Sequence, residues 1–73
     1  MNAQQILDTL KTGVHFVSFV KDNGESRTIK GYAPESATIR TDGIVPICED
    51  GTGAWKSFRA AAMLTIVSES IVA

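Results

Sequence analysis

The chain has 73 residues, seven Lys/Arg against eight Asp/Glu for a formal net charge of −1, and 44% hydrophobic residues. That length holds a single domain, residues 1–73. The apolar content excludes a disordered composition, and the balanced charge lacks the basic excess that nucleic-acid binders usually carry.

Ile6, Leu7 and Leu10 form a narrow apolar stripe that predicts a helix over residues 2–12. Asn2 suits its N-cap, Lys11 the negative end of its dipole, and Gly13 the position after its last turn. So short a helix does not persist alone in water, so its stripe must lie on a sheet. Val14 to Lys21 predicts a strand. Val14, Phe16 and Val20 share one face and Val17 and Phe19 the other, which predicts cover on both faces, from the helix or a second subunit. Asp22-Asn23-Gly24 is a tight hairpin signal, with Asn-Gly supplying positive φ. Glu25 to Tyr32 then returns antiparallel and more polar, with one side in water.

Gly31 to Pro34 ends that strand, and residues 33–43 form a connecting loop. Ile44 to Glu49 is a third strand. Pro46 cannot donate to a ladder, which predicts an edge strand or a bulge. Asp50 to Gly53 is a turn whose Gly51, Thr52 and Gly53 predict a mobile connection. Trp55 to Arg59 and Met63 to Ser68 are the fourth and fifth strands, with Ala60 to Ala62 as a single helical or 3₁₀ turn between them. The final Ser68 to Ala73 is β-prone and extends the last strand. The layout is mainly β: a small five-stranded SH3-like or Sm-like barrel with a short N-terminal helix, or an open sheet with the helix across one face.

Two segments carry a resemblance. The run from Phe16 to Tyr32 contains V-x-F-x-K-x-x-G-x-x-R, and the run from Ile44 to Ile66 reads as an apolar strand, an acidic turn, Trp55-Lys56-Ser57-Phe58-Arg59 and a closing strand. Together they resemble small phage-encoded WYL-like proteins with an Sm-like SH3 barrel fold. The resemblance implies the barrel, a phage origin and, since Sm-like barrels assemble edge to edge, a homo-oligomer. It assigns no activity.

Within the fourth strand, Trp55, Ser57 and Arg59 share one face, and Lys56 and Phe58 the other. Phe58 fills the core, while Trp55 either packs at the rim or stays exposed beside Arg59 and Arg27. Arg27, Lys30, Lys56 and Arg59 are four of the seven cations, and they form a positive patch if their strands are neighbours. Arg27, Lys30, Trp55, Lys56 and Arg59 are therefore the candidate binding residues. His15 and Cys48 read as structural. The single Cys and single His allow neither an internal disulfide nor a four-ligand zinc site. No hydrolase elbow, phosphate loop or paired-carboxylate motif is present, so no catalysis and no cofactor are expected. The first residues lack the regions of a signal peptide, no apolar run approaches the ~20 residues that span a bilayer, and the unpaired thiol agrees with a reducing compartment. The expectation is a cytoplasmic, non-enzymatic interaction module. It self-associates and binds a host protein or a nucleotide-like ligand through a Trp/Arg face, with single-stranded RNA binding as the alternative.

Overall fold

The computed structural model describes residues 1–40 and 43–69, and its first element is built around Asn2. The Asn2 side chain accepts from the Gln5 N–H at 2.9 Å, and Gln5 Oε1 accepts from the Asn2 N–H at 2.9 Å. This reciprocal capping box satisfies two donors that the first turn would otherwise orphan. Helix α1 spans Ala3–Leu10 and ends where the Lys11 N–H closes onto the Leu7 carbonyl. The helix is shorter than predicted at its C-terminal end, because Thr12 bonds back to the Thr9 carbonyl through both its N–H and its hydroxyl. Ile6, Leu7 and Leu10 are at most 1% exposed, so the whole stripe is covered.

The strands are β1 (His15–Val20), β2 (Ser26–Tyr32), β3 (Ile44–Glu49), β4 (Trp55–Arg59) and β5 (Met63–Ser68), with a 3₁₀ turn at Ala60–Ala62. They form one antiparallel sheet in the order β4-β3-β2-β1-β5. β4 and β5 are its two edges and do not pair, so the sheet is open. It is nonetheless strongly curled. Phe19 on β1 and Phe58 on β4 stand three places apart in the order, about 14 Å in a flat sheet, yet their rings stack with centroids 5.3 Å apart. Inside the curl lie Val17, Phe19, Ile29, Val45, Ile47 and Phe58, closed over by the helix stripe.

The hairpin forms at the predicted place with a different turn. The Gly24 N–H donates to the Lys21 carbonyl at 2.9 Å, which puts Asp22 and Asn23 at the centre and Gly24 after them at φ 87°. Asn23 accepts from the Glu25 N–H at 3.0 Å, so its side chain completes the turn.

Three expectations are corrected. First, β1 is covered on one face only. His15, Val17 and Phe19 are buried, whereas Phe16 is half-buried and Val20 exposed. The outer row is shielded by its neighbours: Lys30 Nζ sits 5.8 Å from the Phe16 ring centroid, and the Ser18 and Thr28 hydroxyls bond at 2.8 Å. The bulge in this sheet falls between β1 and β5, where the register shifts at Ser18/Phe19.

Second, β3 is neither an edge nor bulged; it lies between β2 and β4. Pro46 is tolerated for a geometric reason. The Glu49 N–H donates to the Ala54 carbonyl, so by alternation the bonded pairs with β4 include Ile47/Lys56 and Val45/Phe58. Pro46 falls between them and has no donor to give there. On its other side, β2 reaches only Cys48 and Glu49. Third, the Asp50–Gly53 turn is tied down. The Gly53 N–H donates to the Glu49 carbonyl at 3.0 Å, and the Thr52 hydroxyl donates to the Glu49 carboxylate at 2.8 Å. The predicted extension of the last strand past Glu69 lies outside the described residues.

Candidate functional site

The curl leaves a groove of about 550 Å³ where the β1–β2 hairpin faces β4. Its floor is the Phe19–Phe58 stack, and its cations are Lys21, Arg27, Lys56 and Arg59, with Asp22 the one carboxylate among the described residues. Arg27 and the β4 cations are not on neighbouring strands, since β3 intervenes. Curvature brings them together, where the sequence reading required adjacency in the sheet. Among the described residues, none of Arg27, Lys56 and Arg59 is in an ion pair.

A second groove of about 370 Å³ is lined by Trp55, Lys56 and Ser57 of β4, Pro46 of β3, and Ala37, Thr38 and Arg40. Trp55 is 58% exposed, as the second alternative expects, but its groove holds neither Arg59 nor Arg27; Phe58 is 4% exposed and belongs to the core. Alternation along β4 explains the difference: Phe58 lines only the first groove and Trp55 only the second.

The five candidate residues therefore divide. Arg27, Lys56 and Arg59 share the first groove, while Trp55 meets only Lys56, in the second. Lys30 stands apart. Its ammonium lies 2.7 Å from Glu69 and 3.5 Å from Asp50, tying the middle of the sheet to the turn after β3 and the end of β5. The hydrogen bond to Glu69 is the main reason its pKa is raised above the ordinary lysine value. Lys30 is thus a strand-to-turn clamp. Lys21 and Arg40 are groove residues that the sequence reading did not single out. Lys21 follows the first strand directly, and Arg40 is the one cation in the loop over residues 33–43.

His15 and Cys48 lie on β1 and β3, with β2 between them. His15 is 6% exposed, and its Nδ1 is 2.8 Å from the Gly13 carbonyl. Cys48 is buried and pairs across the sheet with Tyr32. Hydrogen bonding to Cys48, then electrostatic interaction with it, pushes the Tyr32 hydroxyl above its usual value, with desolvation and Asp50 adding to the rise. Among the described residues no three His, Cys, Asp or Glu side chains gather to hold a metal ion, and no helix is long and apolar enough to cross a membrane.

What this surface offers is charge selection. Five of the seven Lys/Arg of the chain line the two grooves flanking β4, against a single carboxylate among the described residues. No family model matches the chain, and neither the curated proteins nor the solved structures hold a match to it.

Proposed function

We propose that this protein is a non-enzymatic interaction module of the SH3-like or Sm-like barrel type, phage-encoded, that binds an acidic segment of a host protein on the ground either side of β4. The observation that carries the reading is the segregation of charge. A chain of net charge −1 places five cations and, among the described residues, one carboxylate around one strand. Such a field steers acidic partners and rejects basic ones. The helix, the strand order and the curl that stacks Phe19 on Phe58 support the barrel type. The open edge of β5, which carries no charge, supports self-association, since an unpaired edge invites pairing between copies.

A nucleotide-like ligand fits the first groove less well. Phe19 and Phe58 are 7% and 4% exposed and stack on each other, so they offer a base no free ring face. Single-stranded RNA is the second reading. Trp55 favours it, because an exposed indole beside Arg40 and Lys56 is a platform on which a base stacks for roughly 1–3 kcal/mol.

Trp55 is the only tryptophan, so its emission reports on the site directly. Titration with a short blocked peptide rich in aspartate and glutamate gives saturable quenching or a blue shift, and R27A/R59A weakens the affinity by about tenfold or more. Saturable binding of short oligouridine at low salt, with no response to the acidic peptide, replaces this reading with the second. Sedimentation tests the self-association, and a monomer at every concentration removes it.

A further inference from the structure

We infer that the acidic partner segment binds by adding a strand to the free edge of β4; this rests on the reading above and specifies how that site is filled. The backbone comes first. Lys56 and Phe58 bond to β3, because they fall in register with the bonded Glu49/Ala54 pair. Alternation turns the N–H and C=O of Trp55 and Ser57 outward, where no described strand lies. Those groups are a ready template for another extended chain.

The side chains come second. Two separate grooves flank β4 and share Lys56 and Ser57, one holding Phe58 and the other Trp55. A ligand lying on one face fills one groove. A strand laid along the edge fills both, because its successive side chains point to opposite faces. The grooves differ in chemistry. The first carries Lys21, Arg27 and Arg59 and takes acidic side chains; the second sets Trp55, Pro46 and Ala37 beside Arg40 and takes an apolar side chain next to that one further cation. The occupant is therefore an extended segment, about as long as β4, in which acidic and apolar residues alternate. Charges on an edge strand ordinarily deter pairing. Here they are of one sign, so they deter neutral and basic strands while admitting an acidic one. Charge also argues against β5 of a second copy as this occupant, since Met63 to Ser68 contains no carboxylate.

The test uses a blocked peptide alternating valine and glutamate, titrated against the full chain by Trp55 emission. Two backbone-methylated versions accompany it, one methylated at every valine nitrogen and the other at every glutamate nitrogen. An added strand directs only one of these two sets of N–H groups at β4. One version loses about tenfold or more in affinity while the other binds as the parent does. Ser57→Pro removes an outward N–H that β3 does not use, and it lowers affinity similarly while the unmodified fold persists by circular dichroism. Equal binding of both methylated peptides overturns strand addition and leaves the acidic-partner reading standing. So does retention of parent affinity by a folded Ser57→Pro variant. Failure of this peptide together with the acidic peptide of the preceding test overturns both. If Ser57→Pro does not fold, the two methylated peptides decide alone.

Discussion

Gly31 is the position where a single added methyl group does most harm. It lies on β2 opposite Glu49, in a β2–β3 ladder whose register comprises only Gly31↔Glu49 and Tyr32↔Cys48. A Cβ built there sits 2.5 Å from the Cys48 carbonyl oxygen and 2.9 Å from Ile47 Cγ1. An ordinary carbon–oxygen contact is about 3.3 Å or longer, so the two strands must part by roughly 1 Å within that two-pair ladder. Overpacking of this kind costs about 1–3 kcal/mol, and displaced backbone puts Gly31→Ala at the upper end. The better strand propensity of alanine offsets roughly 0.5–1 kcal/mol. The net is about 2 kcal/mol, which for a domain of this size lowers Tm by roughly 8–16 °C. The assay is thermal unfolding by circular dichroism, with Gly24→Ala alongside. Nothing lies within 4 Å of a Cβ at Gly24, so that variant reports only the strain of its φ of +87°. A Gly31→Ala variant whose Tm falls by less than about 3 °C refutes the close-approach argument.

Asn2→Ala removes the acceptor of the capping box and costs about 1 kcal/mol in urea unfolding. Phe58→Leu and Phe19→Leu, combined in a double-mutant cycle, give a coupling of about 0.5–1.5 kcal/mol from the ring stack; a coupling near zero shows that the rings contribute by area alone. Lys30 has a folded pKa raised above 10.5, chiefly through its hydrogen bond to Glu69. Its contribution is therefore complete below the unfolded pKa and disappears as pH rises through the folded value. The stability difference between wild type and Lys30→Met stays constant from about pH 8 to about pH 10 and narrows above that. A difference that is already narrowing below about pH 9 contradicts the assignment.

Local signals were the legible part of this fold. The helix stripe, the Asp22–Gly24 turn, all five strands and the alanine turn are chain-local patterns, and each is found within a residue or two of its expected place. Pro46 was misleading because its sequence signal says only that one donor is missing. Whether that matters depends on which side of the strand the neighbours need, and this is set by register with β4 and by the short reach of β2. Phe16 and Val20 look like core in sequence and are not, because the outer face of β1 is screened only by Lys30 and by the Ser18–Thr28 hydroxyl pair with β2.

The candidate site was legible by half. Lys56 and Arg59 are brought close by lying on the same short strand, on opposite faces by alternation, but their meeting with Arg27 depends on curvature that no window of sequence encodes. Lys30 was drawn into the patch by composition and is claimed instead by Asp50 and Glu69. Arg40 was missed because a lone cation in an irregular loop carries no periodic signal.

The ladder between β1 and β5 sets the order in which this chain can finish itself. The β1–β2 and β3–β4 ribbons close over short spans, but His15 must wait for Ser68. Search over so long a stretch is the slow event in folding proteins built this way. During synthesis, β1 therefore keeps one flank bare until β5 has cleared the ribosome, and a ribosome stalled inside Met63–Ser68 would display a chain that proteases cut readily.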